Sequence, residues 1–400
     1  MTGLAESSLA AQGERKIDWA AGWTPVLGKV CRRLAREDGV RGRRVALVLP
    51  IQPTTAVLAV GLAEAGGEVT ATFPGAIVHE DVAAALVERG VDVFSTPASA
   101  ADDELRFVAD LLARGPEVVV EDRPLVAARA DTTARGLAGT LLGASEGTTS
   151  VAPLRVPGAE GGLRIPCLAV DDARCTRLFD RYGSGQAALA AVLDATNVLL
   201  AGRRLAVVGY GSVGKGVARR ARGMAARVTV SEVDPHAALE AHHDGFDVAP
   251  VEEACSVADV VVTATGVRRA LPLSAVERLG DGALLANAGA RDDEIDVEGL
   301  RERAIETLVA RPNVEEFRLD GERSVFVVAG GVSVARPAAE GRPIELADLT
   351  LSLHALAARH LLVHGAAMPA GVHAVPPEID EAVARDSLEA LGLRISEHAP

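Results

Sequence analysis

The segment that most constrains this chain is Leu205-Ala206-Val207-Val208-Gly209-Tyr210-Gly211-Ser212-Val213-Gly214-Lys215-Gly216. Its apolar start predicts a buried parallel strand, and the glycines follow at once. Gly209 permits a tight turn, Gly211 lets backbone approach an anion, and Gly214 lets the next helix lie close to its strand. That helix, running through Val217 and Arg220, points its N-terminal amides and its dipole at the same anion. A second apolar strand, Arg227 to Ser231, ends in Glu232, 23 residues after Gly209. A carboxylate there accepts hydrogen bonds from both ribose hydroxyls of a dinucleotide and repels a 2′-phosphate, which selects NAD over NADP. The glycines alone are a weak signal. Strand, glycines, helix, strand and acid in this order are a specific one.

Other classes are excluded by composition. With 400 residues there is room for two or three domains with proper cores. The net charge of −14 opposes nucleic acid and anionic membranes as partners. No apolar run approaches membrane-spanning length, and the N-terminus carries Glu6, Glu14, Arg15 and Lys16 instead of a signal sequence, so a cytoplasmic protein is expected. Cys31, Cys167, Cys175 and Cys255 are scattered, with no metal spacing, and read as reduced, buried thiols. His360 and His364 are four apart, but no third ligand is identifiable, so no metal is expected. The only lysines are Lys16, Lys29 and Lys215, and a mechanism that needs a lysine must use one of them.

Along the chain, the first 40 residues read as helical, with Trp19 and Trp23 as core anchors on one face. Strands at 44–49, 68–72, 91–94 and 117–121 then alternate with helices, a doubly wound α/β pattern. It lacks a glycine fingerprint, because Leu49-Pro50-Ile51-Gln52-Pro53 stands where one would be. The dinucleotide therefore belongs to the second unit and another ligand to the first. Residues 143–155 read as a small, polar stretch. After Glu232, strands at 259–265 and 283–287 close on Thr265-Gly266 and Asn287-Ala288-Gly289, at the carboxyl ends where ligands bind in this fold class. A long helix from Asp348 to His364 crosses back to the first unit. The expected fold is α/β, with two doubly wound Rossmann-like domains. Residues 1–182, completed by 338–370, form a substrate domain, 185–335 the NAD domain, and 371–400 a C-terminal tail.

Taken together, these segments resemble the S-adenosylhomocysteine hydrolases. The fingerprint, Glu232-Val233-Asp234-Pro235, Thr265-Gly266 and Asn287-Ala288-Gly289 with Asp293-Glu294-Ile295-Asp296 look like the family's cofactor domain. Ser145-Glu146-Gly147-Thr148-Thr149 resembles its Ser-Glu-Glu-Thr-Thr segment, and Phe179-Asp180-Arg181-Tyr182-Gly183 its Phe-Asp-Asn-Leu-Tyr-Gly segment, one residue shorter. Gly371-Val372-His373 and Asp380 to Ala384 look like the tail. The resemblance implies tightly bound NAD, used in a closed cycle of ribose 3′-oxidation, loss of homocysteine, addition of water and re-reduction. It also implies a homo-oligomer, dimer or tetramer. Because the chain stops at Pro400, short of the family's lysine and tyrosine, a tetramer built around exchanged tails is less expected.

Against that pattern, the family's histidine after the first strand falls on Pro50, its second segment glutamate on Gly147 and its lysine on Thr176. Its asparagine falls on Arg181, and two further histidines on Ala290 and Arg336. Asp122 and Asp180 are retained and are the expected proton acceptors. Gln52, Thr54, Glu146, Arg181 and Arg336 are the expected substrate-binding residues, the arginines suiting an anionic group. These groups are expected to line a cleft between the two units. Cofactor residues are Thr148, Thr149, Ser150, Gly209, Gly211, Ser212, Val213, Gly214, Glu232, Thr265, Gly266, Asn287, Ala288 and Gly289. The favoured expectation is an NAD-dependent step on a small, hydroxylated, nucleoside-like substrate, ahead of NAD binding without catalysis and of true S-adenosylhomocysteine hydrolysis.

Overall fold

The computed structural model describes residues 8–74, 79–96, 101–122, 125–128, 141–146, 163–319, 323–334 and 343–396. It divides into two compact units, residues 1–176 with 344–400 and residues 177–343. In the first, α1 Leu9–Gly22 and α2 Pro25–Arg36 precede β1 Arg44–Val48, α3 Pro53–Glu64, β2 Glu68–Pro74, α4 Glu80–Glu88 and β3 Asp92–Thr96. Next come α5 Ala101–Ala113, β4 Val118–Glu121, β5 Gly143–Glu146 and β6 Pro166–Ala169, and α6 Arg174–Thr196 leads into the second unit. There β7 Arg204–Val208, α7 Ser212–Gly223, β8 Arg227–Ser231, α8 Pro235–His243, β9 Asp247–Val248 and α9 Val251–Val257 are followed by β10 Val260–Thr263 and α10 Leu273–Val276. β11 Ala283–Asn287, α11 Val297–Arg303 and the strands β12 Glu306–Arg311, β13 Val314–Arg318 and β14 Ser324–Val328 complete it. α12 Ile344–His364, β15 Gly371–Ala374 and α13 Pro377–Ala390 return to the first unit.

The first sheet runs β15-β6-β5-β4-β1-β2-β3, every pair parallel. Parallel strands are covered on both faces, which is why Val45 to Val48 and Val118 to Val120 are continuous apolar runs. Strand order reverses between β1 and β4, so the crevice beyond their carboxyl ends is this unit's ligand position. The second sheet runs β12-β13-β14-β11-β10-β7-β8-β9, parallel from β14 to β9, with β12 and β13 antiparallel. Its reversal lies between β7 and β10, beside the glycine loop.

Four expectations are corrected or refined. The N-terminal helix is two helices, broken before Pro25, whose ring suits a first helical position. Trp19 and Trp23 are 61% and 50% exposed, their rings 6.0 Å apart, and are not core anchors. The stripe of α1 that packs is Ala10, Gly13, Ile17 and Ala20, where a Cβ on Gly13 would stand 2.0 Å from the Asp81 carbonyl oxygen. A crossing that close admits only small residues. The stretch from Gly143, read only as small and polar, begins with a central strand. Its residues are small because α12 lies against it, with Leu361 Cδ2 2.7 Å from a Cβ built on Gly143. Finally, β15 and α13, within the expected tail, belong to the first unit. β15 pairs with β6, and α13 supplies Asp380, which accepts from the Arg174 and Cys175 amides at 2.8 and 3.0 Å and so caps α6.

Asp348 on α12 does the same for α2, accepting from Val26 N at 3.1 Å and Leu27 N at 2.6 Å. Burial pushes its carboxyl up to about 6. Among the described residues one helical stretch, Ile344–Ala367, is long and apolar enough to cross a membrane, and 78% of its apolar window is buried inside the fold. It is the core helix of the first unit. All four cysteines are buried, and no disulfide joins them.

Candidate functional site

Gly209 adopts φ +97, a region that disfavours side chains. The loop is packed as tightly as the spacing implied. A Cβ on Gly214 would stand 1.9 Å from the Gly209 oxygen, and one on Gly216 2.0 Å from the Arg181 oxygen. Gly185 on α6 meets Gly216 in the same way, at 2.4 Å. These glycines press α7 onto β7 and α6 onto α7. Gly211 is the opposite case, with open space where its Cβ would be. It is the N-cap of α7, and no side chain caps that helix, so the first-turn amides at Ser212 and Val213 face an anion site without an internal competitor.

Glu232 follows β8 and reaches the loop. Its Oε2 accepts from Tyr210 N at 2.5 Å, and its Oε1 from Val233 N and Asp234 N at 2.7 and 3.0 Å. The acid read as a ribose acceptor thus also holds the glycine turn in place. Behind the loop, the buried Tyr210 donates to Asp244 at 2.7 Å, and burial followed by that bond pushes its hydroxyl pKa up. The residues fit NAD, the glycine cradle taking the pyrophosphate and Glu232 a ribose.

On the other side of the switch point stand the turns after β10 and β11. Gly266 has φ +69, and the fully buried Glu294 binds this turn and packs against Gly289 of the other. Its Oε2 accepts from Thr265 N and Thr265 Oγ1, each at 2.9 Å, and its Oε1 from Gly266 N at 2.6 Å. Gly289 packs against this carboxylate, where a Cβ would lie 1.7 Å from Glu294 Oε1. Asn287, expected as a cofactor residue, also serves as scaffold. Its Nδ2 donates to the Arg291 and Gly331 carbonyls at 2.6 and 3.1 Å, and its Oδ1 accepts from Gly289 N and Thr263 Oγ1 at 2.8 and 3.2 Å. With its amide fully engaged, Asn287 shapes the turn that presents Ala288 and Gly289. Glu294 was visible in the sequence as part of Asp293-Glu294-Ile295-Asp296, but nothing local marks it as a clamp across two strand ends.

In the first unit, Asp122 N donates to Val48 O at 3.3 Å, which sets Asp122 at the β1/β4 switch point. Its half-buried carboxylate makes no hydrogen bond or ion pair with a described residue. Gln52 also stands there, but as the N-cap of α3. It accepts from the Thr55 amide, and its Nε2 donates to Thr54 Oγ1 at 3.2 Å. Gln52 and Thr54 are thus partly engaged with each other. Glu146 ends β5 beside Glu121, and only its backbone is described. Glu121, which sequence reasoning passed over, is buried and accepts from Val126 N and Ala127 N at 2.7 and 2.9 Å.

In the second unit, Asp180 accepts from Ser184 Oγ at 2.5 Å, and Arg181 has a buried Nε without a hydrogen-bond partner. Thr176 is buried, and its hydroxyl donates to Val170 O at 3.0 Å. All three lysines are ion-paired, Lys16 with Asp81 at 2.6 Å, Lys29 with Asp386 at 2.8 Å and Lys215 with Glu240 at 2.6 Å. Among the described residues no group of three or more His, Cys, Asp or Glu could hold a metal. Thr148, Thr149, Ser150 and Arg336 lie outside the described residues.

Residues 180–341 match the family described as "S-adenosyl-L-homocysteine hydrolase, NAD binding domain". The whole chain is similar to an S-inosyl-L-homocysteine hydrolase of Methanopyrus kandleri, 40% identical over 99% of this chain and 95% of that protein. It is also 40% identical to an adenosylhomocysteinase of Aquifex aeolicus, over 98% of this chain and 94% of that protein. An adenosylhomocysteinase of Saccharolobus solfataricus is 38% identical over 98% and 95%. With a glycine loop at the start of α7, and similarity spanning both units, the chain is an NAD-binding enzyme of the S-adenosyl-L-homocysteine hydrolase family.

Proposed function

We propose that this enzyme hydrolyses the thioether of an S-nucleosyl-L-homocysteine, with NAD retained through the cycle. The observation that carries this reading is 40% identity over nearly the full length to proteins named S-inosyl-L-homocysteine hydrolase and adenosylhomocysteinase. NAD, when bound, would accept a hydride from a ribose carbon that bears a hydroxyl, and later return it, while the hydroxyl proton goes to a base of the chain. The chain's own part is to bind and orient the nucleoside and to move protons. Asp122, half-buried and unpaired among the described residues, and Asp180, which shares one oxygen with Ser184, are the groups available to take a proton from a hydroxyl. Arg181 offers a fixed cation to an anionic portion of the substrate.

A second reading keeps only the redox step, on another hydroxylated substrate. It is favoured by the proton-transfer positions. Thr176, where the resemblance places a lysine, has its hydroxyl satisfied by Val170, and every lysine present is held in an ion pair.

One experiment separates the two. The full chain with NAD is given S-inosyl- and S-adenosyl-L-homocysteine in turn, and free thiol and NADH absorbance are followed together. Thiol release from either substrate is the expected result. NADH accumulating without thiol replaces the first reading by the second, and neither signal sinks the first. Asp122→Asn and Asp180→Asn are each expected to lower turnover about 10²–10⁴-fold while leaving NAD affinity nearly unchanged.

A further inference from the structure

Glu294 has no counterpart among the roles assigned so far. It is a fully buried carboxylate, and the groups bonded to it are Thr265 N, Thr265 Oγ1 and Gly266 N. The Thr265 hydroxyl accepts from Val267 N at 3.0 Å, so its own proton is directed at the carboxylate. Among the described residues no cation is ion-paired with it. Arg291, which feels its charge, is held by a two-pronged pair with Asp293 at 2.7 and 2.7 Å. A charge in this position is costly to bury, and two amides and a hydroxyl compensate it only in part.

Its place gives it a use. The glycine loop fixes the pyrophosphate at the start of α7, and Glu232 marks the adenosine side beyond β8. The remaining half of the dinucleotide must then pass over the ends of β10 and β11, where Glu294 binds the first turn and packs against the second. The oxidised nicotinamide ring is a cation and the reduced ring is neutral. A fixed, poorly screened anion beneath those turns therefore stabilises one form and leaves the other indifferent.

We infer that Glu294 is a positioning residue that both sets the two turns and biases the site toward oxidised over reduced NAD. The inference rests on the NAD assignment alone, so its failure leaves the thioether test untouched. For an enzyme that must hold its cofactor oxidised between turnovers, such a bias keeps the resting state ready to accept a hydride.

The test measures dissociation constants of NAD and NADH for the full chain, freed of nucleotide. The wild-type chain binds NAD at least as tightly as NADH, and tighter binding of NADH overturns the inference without any variant. Glu294→Gln removes the charge and keeps the size, and shifts the NAD-to-NADH preference at least about tenfold toward NADH. Gly289→Ala crowds the carboxylate without altering its charge, and weakens both ligands by a similar factor. Equal losses for both ligands in Glu294→Gln would reduce Glu294 to a structural clamp. Should Glu294→Gln fail to fold, the wild-type ratio decides alone.

Discussion

Asp348 shows how much one side chain carries. It caps α2 from a helix more than 300 positions away, and its carboxyl is raised to about 6 by burial. A carboxylic acid in an unfolded chain titrates near 3.9, so between about pH 4 and 6 the folded state holds the proton more tightly. The contribution of Asp348 to stability is therefore greatest below about pH 4, declines as pH rises to 6, and is flat above. The shift of roughly two units corresponds to about 2–3 kcal/mol. Denaturant unfolding of wild type and Asp348→Asn at pH 4.5 and 7 is expected to show the wild type losing ground to the variant by that order. A difference that does not change with pH would mean the carboxyl is not buried as described.

Among elements, α6 and α7 illustrate why glycine matters at a few positions. Gly185 and Gly216 let the two helices touch backbone to backbone, at 2.4 Å from a Cβ built on Gly185 to the Gly216 carbonyl carbon. Ala at position 216 would meet the Arg181 oxygen at 2.0 Å, so the helices must part. Gly216→Ala is expected to destabilise the second unit by about 1–3 kcal/mol through overpacking and to weaken NAD, since α7 presents the pyrophosphate amides. Unchanged NAD affinity in a folded variant would show that α7 tolerates displacement. Gly211→Ala, with open space around it, is the contrasting case and is expected to fold normally.

For the whole molecule, NAD binds the folded chain and not the unfolded one, so it stabilises by mass action. At a free concentration of 100 times Kd the gain is about 2.7 kcal/mol. A rise in melting temperature with NAD, absent with NADP at the same concentration, is the expected outcome, because Glu232 repels a 2′-phosphate. An equal rise with NADP would overturn the ribose assignment. Glu232→Ala is expected to lessen the NAD effect by about 1–3 kcal/mol, and part of that loss comes from the Tyr210 amide it holds.

The cofactor half of this protein was legible in the residues, because its chemistry is local. A turn that needs positive φ, a helix start that needs small residues and a strand that needs apolar ones leave marks within a few positions. The same holds for the parallel strands Val45 to Val48 and Val260 to Val262, buried on both faces. What the residues alone did not disclose depends on partners far along the chain. Gly143 to Ser145 reads as a polar stretch because its small residues answer to α12, some 200 positions later. Glu294 and Asn287 look like turn residues until the ends of β10 and β11 are brought together. Trp19 and Trp23 follow a helical period, yet the face that packs is set by the close crossing of α1 on α4. Capping by Asp348 and Asp380 was invisible for the same reason. A hydrogen bond has no sequence signature when donor and acceptor meet only after the sheet has formed.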